Sequence, residues 1–496
     1  MPRITSNSLA SGAVITVLMR WFDRGIGIIS TLLLARILVP DDFGIVAMAS
    51  VVVSFIDIIF DLGINVALIQ RKNPSQEYYN TAWTLRILQA SSVALLLTLG
   101  APFAADYYHD ARVVDVIRLM ALSIVVSAFE NVGIVNFQKE MNFVADAKFV
   151  MFKRVVGFLV TIVLTLVLQN YWGMVIGALC GRLASTLRSY QVHPMRPSFC
   201  LGHFREIFAI SQWVLVKNIS QYLDRNAHIF VVGGMGKTNI TGGSTLAAEI
   251  SDVPGTDLLA PINRVLFPAF ARARDNAGEL IRLLESAQAI QVMITVPACV
   301  GFVMTAHEFV PVALGEKWMF IVPFIQILAL SNIFQSICSS ANYVLTVIGK
   351  IRLLALTSWI QILLFGLGLV AVGSAATPER VAQLRLGAIV STFGISYYLL
   401  TRNIRGVSIM AMLKGIARPL IGSLAMALAL YGLQSGMSAP PALMLVLKVM
   451  LGAAVYISVV LALWLLAGKP AGAETYLLGK LKIRFPAFIG TPNGTK

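Results

Sequence analysis

The sequence predicts an all-α polytopic membrane protein with about fourteen transmembrane helices. Three observations predict it. Of 496 residues, 57% are hydrophobic and 13% charged, and the mean hydropathy is +0.79. A soluble chain carries about 25% charged residues. Apolar runs of about 20 residues or more recur from end to end. Their approximate limits are 10–37, 42–68, 80–103, 113–136, 147–169, 171–191, 206–233, 243–268, 283–305, 320–346, 353–373, 382–400, 413–434 and 442–467. The connections also alternate in charge. One set carries Arg71 and Lys72; Lys139 and Lys148; Arg196 and Arg205; Arg272 and Arg274; Lys350 and Arg352; Arg402 and Arg405, with Lys480, Lys482 and Arg484 in the tail. The opposite set carries only Arg112, Lys237, Lys317 and Arg380. The positive-inside rule then puts both termini in the cytoplasm, which requires an even number of spans.

The first run organises the rest. Arg20, Asp23 and Arg24 lie in its middle, and spacings of three and four put them on one helix face. A charge at the midplane costs at least about 2.5–3.5 kcal/mol unless it faces water or a partner. One aspartate cannot neutralise two arginines, so the run points to a cavity for something anionic. A buried structural ion pair is the alternative. Pro40-Asp41-Asp42 precedes the second run, where the aspartates read as N-terminal caps rather than as an acidic catalytic pair. The second run carries Ser50, Ser54, Asp57, Asp61 and Asn65 in steps of four, three, four and four, one continuous face. Such a face cannot meet lipid.

Span three adds Arg86, and span four adds Glu130 and Asn131. Spans five, six, eleven and twelve read as much plainer and are expected at the periphery. Span seven carries Lys217, Gln221, Asp224 and His228 on one face, with Arg225 beside it. Span eight offers Glu249, Asp252, Thr256 and Asp257, and span ten a neutral stripe through Asn332, Gln335, Ser339 and Asn342. Spans thirteen and fourteen are nearly all apolar apart from Lys448.

Phe22-Asp23-Arg24 in span one and Leu223-Asp224-Arg225 in span seven lie at similar depth. Each is followed by an apolar half-helix, a short turn and a span entering with Gly44 or Gly243. This suggests a parallel internal repeat of two six-helix lobes about an axis along the membrane normal. The expected organisation is 1–200 and 201–405 as lobes, with 406–496 as two further helices and a tail. Spans one, two, seven and eight would surround a central cavity. Arg20, Arg24, Lys217 and Arg225 are the candidate anion-binding residues, since arginine matches phosphate with a planar fork. Asp23, Asp57, Asp61, Asp224, Glu249 and Asp252 are candidates for balancing that charge or for coupling to H+ or Na+.

Several classes are excluded. The net charge of +15 reflects loop bias, with no nucleic-acid signature and no nucleic-acid partner expected. Cys180, Cys200, Cys299 and Cys338 are scattered, which indicates neither disulfides nor a metal site. Gly233-Gly234-Met235-Gly236-Lys237-Thr238 ends like a P-loop, but Val231 stands where a glycine is needed, so it reads as a turn. No cofactor is expected, and the first run is too long and too charged for a cleavable signal peptide. No loop is long enough for a soluble domain.

The stretch Leu34-Ala-Arg-Ile-Leu-Val-Pro-Asp-Asp-Phe-Gly44, with Ile45-Val-Ala-Met-Ala49, Asp61-Leu-Gly-Ile-Asn65 and Ile69-Gln-Arg-Lys72, resembles the oligosaccharide flippases of the multidrug/oligosaccharidyl-lipid/polysaccharide superfamily. The closest branch is that of colanic-acid and succinoglycan exporters. Pro261-Ile-Asn-Arg-Val-Leu-Phe-Pro268 agrees. The resemblance implies two six-helix lobes, alternating access, and transfer of undecaprenyl-pyrophosphate-linked oligosaccharide across the bacterial inner membrane. It implies cationic residues in the cavity, matched here by location only. It also implies membrane lipids as surroundings, and a polysaccharide polymerase and chain-length regulator as partners. With no nucleotide site, an ion gradient or the substrate's own gradient would drive transport. The competing readings are an organic-cation exporter of the same superfamily, a lipid II flippase, and a membrane polymerase or glycosyltransferase. Short external loops argue against the enzyme.

Overall fold

A computed structural model describes residues 6–60, 63–64, 68–69, 71, 74–140, 142–204, 212–404, 406–437 and 439–469. Among these the chain is helical, with no strand. The long helices are α1 (Ser6–Ile37), α2 (Pro40–Ile59), α3 (Gln76–Tyr108), α4 (Arg112–Ala128), α5 (Phe143–Leu168), α6 (Trp172–Val192), α7 (Gln212–Gly234), α8 (Thr238–Asp252), α9 (Ala260–Arg272), α10 (Ala277–Ala313), α11 (Val322–Val347), α12 (Ile351–Val372), α13 (Pro378–Asn403), α14 (Ile409–Gly436) and α15 (Pro441–Leu466). Most expected spans coincide with one of these helices. Span two is helical as Pro40–Ile59, span four ends at Ala128 and is followed by a 3-10 turn Val132–Ile134 and a short helix Val135–Lys139, and span eight is built from α8, a π-helical turn Val253–Asp257, and α9. Among the described residues, nine helical segments are long and apolar enough to cross a membrane. The segment 233–238 is the end of α7 and a turn with Gly236 at φ 69°, as its sequence implied.

The chain divides into two compact units, one of residues 1–246 with 313–321 and the other of 247–312 with 322–496. In the first unit α1 packs on α5, α5 on α6, α6 on α4, and α4 on α2 and α3. α7 packs on α2. The α5–α6 contact is the closest because Gly173, Gly177 and Gly181 form a stripe at intervals of four on α6. A Cβ at Gly173 would overlap Thr165, one at Gly177 would overlap Thr161, and one at Gly181 would lie 2.9 Å from the Gly157 Cα. Small residues at this spacing let membrane helices approach to backbone contact. α5 stays largely exposed on its other faces, as expected of a peripheral span, while one face is joined to α6.

Where α1 ends and α2 begins, the first unit is tied by many bonds. Val39 N donates to Asp42 Oδ2 at 3.3 Å, the capping arrangement expected of Asp42, and Tyr171 N donates to Asp42 Oδ1 at 3.2 Å. Such a cap contributes about 1 kcal/mol. Lys317 Nζ donates to the carbonyls of Arg36 (3.0 Å) and Leu38 (2.6 Å), and Trp318 Nε1 to that of Ala35 (2.9 Å). These are orphan carbonyls of the α1 C-terminus. Arg36 Nε in turn donates to Ala313 O at 3.0 Å. The N-termini of α2 and α8 abut, since a Cβ at Gly44 would overlap the Thr238 carbonyl and one at Gly242 the Pro40 carbonyl. Two positive helix ends in contact need acid beside them. Asp41 pairs with Arg112 at 2.8 Å, Asp110 pairs with Arg112 at 2.7 Å, and Thr238 Oγ1 donates to Asp110 Oδ2 at 3.3 Å.

In the second unit α11 packs on α13, α13 on α12, and α14 on α15. Its core runs through Leu284, Val292, Val296, Val344 and Leu400.

Candidate functional site

In the first unit the polar face of α2 begins with Ser50, whose Oγ donates to Met120 Sδ at 3.9 Å. Tyr222 from α7 stacks on Phe55 with centroids 6.0 Å apart, and its hydroxyl donates to Val51 O at 2.6 Å. Asp57, one turn further, lines a cavity of about 180 Å³ together with Arg86 and Gln89 of α3, Ser127 of α4 and Arg182 of α6. Arg86 Nη2 donates to Ser127 O at 3.0 Å, which aims its guanidinium across α4. Arg182 follows Gly181, so the backbone contact of α5 with α6 sets its position. It feels the charge of Asp57, and no acceptor among the described residues lies within hydrogen-bond reach of its guanidinium. Among the described residues two cations thus face one carboxylate.

Other charges of this unit are paired. Arg154 Nε lies 3.1 Å from Asp23 Oδ1, and both side chains are half exposed. Gly27, one turn from Asp23, leaves room for the Arg154 guanidinium, which a Cβ there would meet at 2.5 Å. Glu130 Oε2 accepts from Ser185 Oγ at 3.1 Å and lies 3.8 Å from Lys153 Nζ. Asn131 fixes the exit of α6, donating from Nδ2 to the carbonyls of His193 (3.2 Å) and Met195 (2.8 Å). Outside the spans, burial lowers the His193 pKa and with it the tendency to carry charge.

In the second unit a network of amides and hydroxyls stands beside charged groups such as Glu249, Asp257, Arg385 and Arg418. At the π-helical turn, Asn332 of α11 donates to Ser251 O at 2.8 Å and to Asp252 Oδ1 at 3.2 Å. Gly255 permits this approach, since a Cβ there would lie 2.5 Å from the Asn332 Cβ. π-Turns inside helices recur at functional sites. Gln291 Nε2 donates to Asn263 Oδ1 at 2.7 Å, and Gln291 Oε1 accepts from Ser339 (3.1 Å) and Ser340 (2.6 Å). The span-ten stripe is thus knitted into its own unit through Asn332 and Ser339. Lys448 of α15 is fully buried, donating to Glu308 Oε1 at 2.6 Å, Met304 O at 3.0 Å and Gln434 Oε1 at 3.1 Å. It docks α14 and α15 on α10.

The sequence-derived site residues distribute as follows. Arg20 and Arg225 are exposed and form no ion pair among the described residues. Arg24 is half-buried on α1, and Asp224 is half-buried on α7. Asp23 pairs with Arg154, and Asp57 lines the cavity with Arg86 and Arg182. Glu249 and Asp252 belong to the second unit. Asp61 and the Lys217 side chain lie outside the described residues. Trp21 and Phe22 are exposed on α1. Sequence reasoning missed Arg154 and Arg182 as partners. The signal available for Arg182 was its place beside the last of three glycines spaced by four.

A family model described as "Polysaccharide biosynthesis protein" matches residues 33–323, more than half of the chain. The lipopolysaccharide biosynthesis protein WzxC of Escherichia coli K12 is 25% identical over 407 residues, covering 80% of this chain and 82% of its own length. The succinoglycan biosynthesis transport protein ExoT of Rhizobium meliloti is 23% identical over 342 residues, covering 68% and 69%. Among solved structures, the lipid II flippase MurJ in an inward closed conformation superposes with a TM-score of 0.75 at 13% identity, over 91% of this chain and 99% of that one. An inward-facing multidrug transporter of the same superfamily gives 0.59 at 14% identity, over 80% of this chain and 100% of its own. An all-helical chain with this fold, whose α2 begins at the Pro40–Gly44 turn, is a member of the polysaccharide biosynthesis protein family.

Proposed function

We propose that this protein is a flippase that moves undecaprenyl-pyrophosphate-linked oligosaccharide repeat units from the cytoplasmic to the outer leaflet of a bacterial inner membrane. The observation that carries this reading is an excess of arginine at mid-helix depth in a chain of this family. Arg20, Arg24, Arg86, Arg182 and Arg225 all lie in the interiors of membrane-length helices. Such charge is tolerated where it faces water, protein or an anionic ligand. A diphosphate headgroup supplies that ligand and sugars fit a wet path, whereas an organic cation would be repelled. The names of WzxC and ExoT tie those relatives to polysaccharide biosynthesis and transport, which is the same chemistry.

In this reading residues 1–200 and 201–405 act as lobes that alternate access, both termini lie in the cytoplasm, and residues 406–469 add two helices. Movement would part the bonds around Asp41, Arg112 and Thr238. Glu249 and Asp252 remain candidates for coupling to H+ or Na+, with the substrate gradient as the alternative drive. A polymerase and a chain-length regulator act downstream. No catalytic step is assigned to the chain.

The test is a deletion strain in which surface polysaccharide and carrier-linked oligosaccharide are quantified by leaflet. Loss of polymer with complete units trapped on the cytoplasmic face supports the reading. Complete units on the outer face would overturn it in favour of polymerisation. Unchanged polymer with altered sensitivity to organic cations would overturn it in favour of drug export.

A further inference from the structure

Asp57, Arg86 and Arg182 share the cavity between α2, α3, α4 and α6. It lies inside the first unit. Its volume of about 180 Å³ holds a small polyoxyanion with a few waters and is far too small for an oligosaccharide. Gln89 and the Ser127 backbone add polar lining. Arg86 spends one N–H on Ser127 O. Arg182 spends none on the described residues. A guanidinium carries five donors in a planar fork. Among the described residues a surplus of unspent donors and a net charge of one positive unit therefore meet in one space, with the exposed Asp57 in its lining. A purely structural ion pair would match donors to acceptors, because an unsatisfied buried charge is costly.

We infer that Arg86 and Arg182 form a binding pocket for a phosphate-class oxyanion, with Asp57 as the resident counter-ion that the ligand displaces. The inference rests on the flippase reading for its ligand's source, since a carrier-lipid diphosphate and a free pyrophosphate share the recognised chemistry. Asp57 sets the affinity. It screens Arg182 in the empty pocket and repels the incoming anion, so binding is weak enough to release. Arginine is needed at both positions because the fork grips two oxygens at once. The pocket is distinct from the Arg20, Arg24 and Arg225 positions on α1 and α7.

The experiment uses the purified full-length protein in detergent, with inorganic pyrophosphate and farnesyl diphosphate as probes at matched ionic strength. Kd is read by intrinsic fluorescence. Arg86→Ala and Arg182→Ala are each expected to raise Kd by about tenfold or more, one bidentate contact's worth. Arg182→Lys, which keeps charge and bulk, is expected to raise it several-fold, and Asp57→Asn to lower it. Tighter binding in Asp57→Asn is the outcome a structural ion pair does not produce. A farnesyl diphosphate Kd well below that of pyrophosphate names the lipid headgroup as the source, and equal values name the free anion. The inference is overturned if folded Arg86→Ala, Arg182→Ala and Arg182→Lys all bind like the wild type. It is equally overturned if Asp57→Asn binds more weakly while unfolding at the wild-type temperature. Where that happens and the deletion strain still traps oligosaccharide on the cytoplasmic face, the pocket fails and the flippase reading stands.

Discussion

The two units bury polarity in different chemistry. The first carries charge on and beside its helices: Asp57, Arg86 and Arg182 around a cavity, Asp23 with Arg154, and Glu130 with Lys153. The second uses amides and hydroxyls, with Gln291 joining Asn263, Ser339 and Ser340, and Asn332 completing the helix at Ser251. Its Lys448–Glu308 ion pair is sealed from solvent and serves helix docking, beside further charged groups such as Glu249, Arg385 and Arg418. The difference teaches which charges are free to change partners. Charge that is only half buried and shares a cavity can exchange partners, whereas charge that is fully buried and bonded cannot.

The comparison breaks most severely where helix contact itself is removed. Gly177→Leu places a side chain into Thr161 across the α5–α6 seam, and the expected outcome is loss of the monodisperse folded peak in size-exclusion chromatography. Gly432→Leu in α14 faces open space, and its elution profile should match the wild type. Next in size is Lys448→Ala, which strands buried Glu308 and should cost about 3–5 kcal/mol in detergent unfolding. The double substitution Lys448→Met with Glu308→Met should recover much of that loss, which marks the pair as a docking device rather than a transport site.

Gln291→Leu tests the neutral network. It leaves Asn263, Ser339 and Ser340 without their shared partner and should cost about 1–3 kcal/mol, independent of salt. By contrast Asp23→Asn, in a half-exposed pair, should change stability by no more than about 1 kcal/mol, with whatever change there is screened by salt.

The smallest effect is at the turn between α3 and α4. Burial pushes the Asp110 carboxyl up, but hydrogen bonds and charge from Arg112, with the Thr238 hydroxyl, outweigh it and hold the group below the usual carboxylate range. A depressed carboxylate stabilises the fold above its unfolded pKa of about 3.9 and loses that contribution as pH falls through the folded value. Asp110→Asn should therefore lower the unfolding temperature by a constant amount from pH 5 to 8, with the gap closing below about pH 4.

Much of this was legible in the sequence. Hydropathy places most of the long helices, because a bilayer demands long apolar runs, while the π turn that splits span eight into α8 and α9 leaves no mark in it. Asp42 reads as a cap because its spacing from Val39 is local, and the turn at Gly236 reads as a turn because no strand precedes it. The charge partners were not legible. Arg154 sits in a helix whose hydropathy looks lipid-facing, and on α6 the Gly173, Gly177 and Gly181 stripe is what betrays the packing that places Arg182. Lys448 stood out as a lone charge, but its partner lies 140 residues earlier, a pairing that tertiary packing alone creates. The expected shared cavity for Arg24, Arg225, Glu249 and Asp252 depended on placing residues hundreds apart, and local pattern carries no such information.

The most direct measurement is reconstitution. Purified protein in liposomes is loaded with carrier-linked oligosaccharide on one leaflet, and the fraction reaching the other is read with a membrane-impermeant sugar-oxidising reagent. Wild-type protein should equilibrate the leaflets, Arg86→Ala with Arg182→Ala should slow this by about tenfold or more, and Lys448→Met with Glu308→Met should not. Leaflets that stay unequal with folded wild-type protein, under imposed proton and sodium gradients as well as without them, would contradict the account.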